Sequence, residues 1–265
     1  MLCDLDGGCV GEDRVCEGAV LELNDARWTM SACLGRGAFG VVWEAIDAHT
    51  GVARALKTID HEAFASFKMR FQSSLEHDTE YKMLVEVSHS NALRPFGSPG
   101  RSSEACLMLE MIDGYILLEQ LLSRGPLPAV GTAALVRQLL AVVSHLHEKN
   151  IIHRDIKPEN LMLLRRGGPV VKLIDFGLAR RVLRGCVTVV GSSYYMAPEI
   201  TDVSLRSSQC GYDCLADMWS LGITLYEAWC ASPLVDESFP ETLIAEPCYM
   251  FLTMSPIGLE AQVQT

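Results

Sequence analysis

His153-Arg154-Asp155-Ile156-Lys157-Pro158-Glu159-Asn160 stands near the middle of this 265-residue chain, and Asp175-Phe176-Gly177 begins fifteen positions after Asn160. The first stretch sets a carboxylate, an ammonium and a carboxamide within six residues, and the second adds another carboxylate. Asp155 can orient a hydroxyl by accepting its proton; a hydroxyl ionises so weakly at neutral pH that positioning matters more than basicity. Lys157 can meet charge that builds on a transferred group. Asn160 and Asp175 offer two oxygen ligands to a hard cation such as magnesium. These are the groups that phosphoryl transfer from ATP requires.

On the N-terminal side of this stretch, Leu135, Leu139, Val142, Val143 and Leu146 form one apolar face of a helix ending near Asn150. On its C-terminal side, Arg165-Arg166-Gly167-Gly168-Pro169 is a turn between two short strands. Further upstream, Cys106 to Glu110 reads as a short buried strand and Asp113-Gly114 as a connector. From Trp28 to about Pro99 the pattern favours strands with one helix inside. Leu34 to Trp43 reads as strand, glycine turn, strand, and Ala53 to Ile59 as a third strand. Phe64 to Val87 carries Phe67, Phe71, Leu75, Tyr81, Leu84 and Val85 at helical spacing, and Ser98-Pro99-Gly100 marks a loop. Residues 1–27 show no period and are expected to form a flexible leader.

Gly35-Arg36-Gly37-Ala38-Phe39-Gly40 fits GxGxxG, a pattern that dinucleotide folds share. A dinucleotide turn opens a helix. Here Val41-Val42-Trp43 follow, so a second strand is expected, with backbone amides at a hairpin tip facing phosphate oxygens. No GK[ST] occurs, which excludes a Walker-type loop. Lys57 lies on the next strand between Leu56 and Ile59, and needs a carboxylate to hold it toward a bound anion. Glu76 and Glu80 share one helical face, and either could supply it.

Taken together these motifs, in order from Leu34 to Gly222, resemble a eukaryotic protein kinase. The resemblance implies an α+β, bilobal kinase-like fold: a β-rich N-lobe over about 28–110 and a larger helical C-lobe over about 114–265 that ends early. It implies ATP and magnesium as cofactors, with adenine near Glu110 and Ile112 of the connector. Lys57 would contact the α- and β-phosphates beneath Leu34 to Gly40, while Val42, Ala55 and Met162 would sandwich adenine beside the gatekeeper Leu109. Asp155, Lys157, Asn160, Asp175 and Lys57 would be catalytic, with Asn160 and Asp175 on the metal. The family places its helix glutamate nine residues before a His-x-Asn pair, which His89-Ser90-Asn91 sets at Glu80.

Lys157-Pro158-Glu159-Asn160 and Gly191 to Glu199 resemble the serine/threonine branch, with Ser192 where that branch usually has Thr. Ala53 to Ile59 with Leu173 to Ala179 is similar to calcium/calmodulin-type and calcium-dependent kinases, although no EF-hand loop occurs. Arg154 beside Asp155 implies control by phosphorylation. Thr188 lies eleven residues before Glu199, where the family's phosphosite often falls, and Arg180 and Arg181 precede it. Three positions depart from the pattern. Only 43 residues follow Gly222 and none is Lys or Arg, so Glu199 lacks the arginine that usually pairs with it from a later helix. Pro95 replaces a hydrophobic spine residue, and Ile116 replaces an acid that reads basic peptides, though Glu159 is retained. A weakened C-lobe exposing Trp219, Trp229, Phe239 and Phe251 is expected. Protein substrates with Ser or Thr are the implied partners; a weakly active kinase-like scaffold is the alternative.

The net charge of −11 argues against nucleic acid as the main partner. After Arg206 there are eight acids and no base, a solvated face or a surface for a basic partner. No uninterrupted apolar run reaches the ~18 residues of a membrane span, and Met1 to Gly8 is not a secretory signal. Ten cysteines without CxxC are expected to be reduced thiols in a cytoplasmic or nuclear protein.

Overall fold

The computed structural model describes residues 17–23, 26–37, 40–59, 65–66, 69, 79–97, 106–182, 185–202, 204 and 211–230. The chain divides into two compact units, one of Met1–Glu86 with Arg94–Met111, the other of Val87–Leu93 with Ile112–Thr265.

The first unit is a six-stranded antiparallel sheet in the order β1-β2-β3-β4-β6-β5. Its strands are β1 (Val20–Leu23), β2 (Ala26–Gly37), β3 (Gly40–Asp47), β4 (Ala53–Ile59), β5 (Pro95–Gly97) and β6 (Cys106–Leu109). In β3 the buried Trp43 and Ala45 alternate with Glu44, so one face enters the core with Leu23, Met30, Leu56, Cys106 and Met108. All four residues of β6 are buried, as befits an unbroken apolar strand paired on both edges. The strand boundaries expected at Ala53 and Ile59 coincide with β4. Of the helix expected over Phe64 to Val87, α1 (Thr79–Val87) is the described continuous part; most of 60–78 lies outside the described residues, as does the Ser98 to Gly100 loop.

The leader expectation needs correction. Val20–Leu23 pairs with Ala26–Thr29, so residue 27 falls inside a β-hairpin rather than at the edge of a flexible segment. Leu23 is inward, 5% exposed, and the exposed Glu22 lies on the opposite face.

In the second unit, α2 (Leu117–Arg124), α3 (Ala129–Glu148) and α5 (Leu215–Cys230) pack with a small sheet ordered β10-β9-β7. Here β7 is Gly114–Ile116, β9 Leu161–Leu164 and β10 Val171–Leu173. A two-stranded pair joins β8 (Ile151–Ile152) to β11 (Arg180–Arg181), and a single turn, α4, covers Pro198–Thr201. The turn expected at Arg165 to Pro169 links β9 to β10. By length and composition α3 could cross a membrane, yet its stripe of Leu135, Leu139, Val142, Val143 and Leu146 is buried within this unit. Helix α5 is buried on nearly every side, including Asp217, Ser220 and Thr224, which makes it the pillar on which the surrounding loops are hung.

The expected exposure of C-lobe tryptophans holds in part. Trp229 is 39% exposed, whereas Trp219 packs against the cluster of Ile152, Cys186, Ala197, Ile200, Tyr212 and Ala216. Phe239 and Phe251 lie outside the described residues. Glu199, expected to lack its usual arginine, is half-buried in α4 and engaged in an interaction, so it is not left without a partner. The five described cysteines, Cys33, Cys106, Cys186, Cys214 and Cys230, are free thiols.

Candidate active site

In the first unit, β2 and β3 pair as Gly35↔Val42, Arg36↔Val41 and Gly37↔Gly40, so the expected glycine hairpin forms. Its tip residues Ala38 and Phe39 lie outside the described residues. The glycines have different reasons to be there. A Cβ on Gly40 would lie 1.7 Å from the Thr58 carbonyl oxygen, so packing against β4 forbids one. Among the described residues, a Cβ on Gly35 would meet nothing within 4 Å. The open space beside Gly35 is therefore not demanded by the protein's own packing, and it suits an approaching phosphate. Leu34 and Arg36 are exposed, and the half-buried Val42 pairs across the strands with Lys57. Ala55 pairs with the buried Leu109, and Glu110 accepts a bond from the Arg94 amide.

Lys57 Nζ lies 2.7 Å and 2.9 Å from the two oxygens of Glu80, in a pair whose side chains are only 16% and 8% exposed. A pair this desolvated is stronger, and more damaging to break, than a surface pair. Of the two carboxylates open on sequence grounds, Glu80 takes the role; Glu76 lies outside the described residues.

The second unit builds the loop from Asp217 outward. This wholly buried carboxylate accepts the amides of His153 and Arg154, each at 2.8 Å, and His147 Nε2 at 2.9 Å. It thereby holds Arg154 at φ +70, a strained turn that aims successive side chains in different directions. His153 is buried and packs edge-on against Phe176 at 4.9 Å between ring centroids. Burial pushes its imidazole below the ordinary value, against the pull of Asp217, Asp155 and Asp175.

Asp155 is the hub. Its Oδ2 accepts from Asn160 Nδ2 at 2.8 Å and lies 3.1 Å from Lys157 Nζ, and its Oδ1 accepts the Ser192 amide and hydroxyl at 3.1 Å and 2.9 Å. Lys157 donates in turn to Ser192 Oγ at 2.6 Å. Asn160 gives its Nδ2 hydrogens to the Asp155 carboxylate and carbonyl, which turns its Oδ1 to the other side. The Asn160 carbonyl accepts the amide of Ile174, so the residue next to Asp175 is tied to Asn160. Asp175 itself accepts the Gly177 amide at 3.0 Å. One carboxylate and one amide oxygen, fixed by separate bonds, make a donor set that fits magnesium, which takes few protein ligands and completes its shell with phosphate and water. Met162 and Ile112 are half-buried in this unit, Met162 on β9 opposite Lys172 and Ile116.

Two site residues escape the sequence patterns. Ser192 is legible there only as a branch signature, yet it bonds both Asp155 and Lys157. Gly191 opens that same signature, but its packing is not legible there: at φ +116, its Cβ would lie 2.4 Å from the Arg154 carbonyl oxygen, so the segment carrying Ser192 presses on the backbone of the 153–160 loop.

A protein kinase domain matches residues 28–254 of this chain. The chain belongs to the protein kinase family. Among its relatives, human serine/threonine-protein kinase DCLK3 is 34% identical over 203 residues, 76% of this chain and 29% of that protein. Death-associated protein kinase dapk-1 of Caenorhabditis elegans is 33% identical over 73% of this chain and 13% of its own length. Calcium-dependent protein kinase 5 of Plasmodium berghei (strain Anka) is 30% identical over 76% of this chain and 34% of its own length. The chain thus spans about a third or less of these relatives. For a member of this family the α+β architecture is the expected one, a curled sheet in one unit and helices around α5 in the other.

Proposed function

We propose that this chain is a protein serine/threonine kinase, transferring the γ-phosphate of ATP, with magnesium, to Ser or Thr hydroxyls of protein substrates. The observation that carries this reading is the Asp155 carboxylate, held between Asn160, Lys157 and Ser192. Asp155 would orient the acceptor hydroxyl and take its proton as the oxygen–phosphorus bond forms and the β–γ bridge breaks. Lys157 would offset charge on the transferred group. Lys57, steadied by Glu80, would hold the α- and β-phosphates. Asn160 and Asp175 would hold the cation, which when bound neutralises phosphate charge. The relatives named serine/threonine kinases support the acceptor class.

Glu159 supports a basic residue in the substrate. Its Oε2 is buried with no hydrogen-bond partner among the described residues. Burial, with the charges of Glu227 and Glu159, holds the Tyr195 phenol far above its ordinary range, so acids crowd this corner. Peptide arrays should show phosphorylation of Ser and Thr acceptors, strongest with Lys or Arg nearby; a preference for Tyr acceptors would refute the acceptor class.

Thr188 fits a regulatory phosphosite. Arg154 Nη1 already donates to its hydroxyl at 2.9 Å. Burial pushes the nearby Cys186 thiol up, while the charges of Arg154 and Arg180 pull it down, which puts both cations close to this segment. A phosphate here would gain charge-assisted bonds worth about 1.5–3 kcal/mol each. Thr188→Ala should lower the activity of protein made under phosphorylating conditions by ~10-fold or more. Equal activity would exclude the site.

A further inference from the structure

The His89-Ser90-Asn91 pair marks Glu80 in the sequence, but Asn91 has work of its own. It is buried, and its Nδ2 donates to Gln138 Oε1 and to the Val171 carbonyl, both at 2.8 Å. Gln138 of α3 then uses every hydrogen-bonding capacity its amide has. Its Oε1 also accepts the Val171 amide at 3.2 Å, and its Nε2 donates to the carbonyls of Ala134 at 3.0 Å and Pro169 at 2.6 Å. The amide's orientation is forced, because the carbonyls can only accept and the Val171 N–H can only donate.

The two side chains thus stand in for a neighbouring strand along one edge of β10. Val171 gives both its backbone groups to them, and β9 pairs with the other edge. Two residues on, Leu173 donates to the Asn91 carbonyl at 2.8 Å and accepts from the Leu93 amide at 2.9 Å. The next residue, Ile174, donates to the Asn160 carbonyl. Bonds therefore run without a gap from Gln138 to the residue preceding Asp175.

We propose that Gln138 and Asn91 form an amide clamp that positions Asp175 and so sets the affinity of the site for its divalent cation. This rests on the reading of Asp175 as a cation ligand. Both are positioning residues, acting through β10 without touching substrate. Loss of the clamp would let β10 shift against Asn160, and two oxygens must keep a fixed separation to bind an ion that demands near-ideal geometry.

The test is Mn2+ binding to the purified chain with a non-hydrolysable ATP analogue, read by electron paramagnetic resonance, with nucleotide affinity measured separately in chelator. Gln138→Met keeps the length and helix propensity of the side chain but makes none of the four bonds. It should weaken Mn2+ binding ~3- to 10-fold while metal-free nucleotide affinity stays within about twofold. Gln138→Glu keeps both accepting bonds but turns an oxygen toward the Ala134 and Pro169 carbonyls, so it too should weaken Mn2+ binding with metal-free nucleotide affinity retained, a split that loss of stability alone would not produce. Mn2+ affinities equal to wild type in Gln138→Met and Gln138→Glu would overturn the clamp. Asp175→Ala separates the two claims: if it alone loses Mn2+, the clamp fails and the cation site stands. If it binds Mn2+ like wild type, the cation site fails and the clamp with it.

Discussion

Asp155→Asn is expected to lower turnover ~10²- to 10⁴-fold, the range spanned by a positioned general base, with nucleotide affinity little changed. The carboxylate faces four donors. Ser192 presents its amide and hydroxyl to Oδ1, and Asn160 and Lys157 present theirs to Oδ2. A carboxamide has one oxygen and one NH2 group, so either orientation turns a donor toward another donor. The substitution therefore removes the proton acceptor, removes the charge that holds Lys157 and leaves a local conflict costing about 1–3 kcal/mol. Lys57 and the glycine hairpin, which would carry the nucleotide, are untouched. Steady-state rates beside a nucleotide titration check this. Turnover within about threefold of wild type would remove Asp155 from its role.

Asp217→Ala is expected to have the largest effect on stability. The side chain is wholly buried and accepts three donors, of which two are the backbone amides of His153 and Arg154. Alanine orphans both amides, and each buried, unsatisfied donor costs about 1–3 kcal/mol. Their sum, about 2–6 kcal/mol, is a large part of the roughly 5–15 kcal/mol that holds a domain folded. The same bonds hold Arg154 at φ +70, so loosening them should also blur the position of Asp155 in whatever fraction stays folded. Thermal unfolding should drop by about 2–4 °C per kcal/mol lost, and Asp217→Asn, which keeps one accepting oxygen, should fall in between. Melting of Asp217→Ala within about 2 °C of wild type would contradict the anchor.

Local chemistry was legible in the sequence wherever a single segment carried it. The 153–160 loop, the glycine hairpin and β4 can be read from neighbours a few residues apart. Glu80 could be chosen over Glu76 through its distance from His89, and its pairing with Lys57 agrees. What escaped depends on partners far along the chain. Ser192 meets Asp155 across 37 positions, and Gln138 meets Asn91 across 47, and no periodicity encodes either. The pressure of Gly191 on the Arg154 carbonyl is likewise a tertiary contact. β1 is not legible in the sequence because the four residues around Glu22 are too short to stand out, and become a strand only by pairing with Ala26–Thr29.

The most direct measurement is transfer of radiolabel from γ-labelled ATP to a generic basic protein by the purified chain, with and without magnesium. Phosphoserine and phosphothreonine forming only with the metal, and strongly reduced by Asp155→Asn, is the predicted result. A folded wild-type chain that binds ATP yet transfers no label would contradict the assignment and leave a nucleotide-binding scaffold in its place.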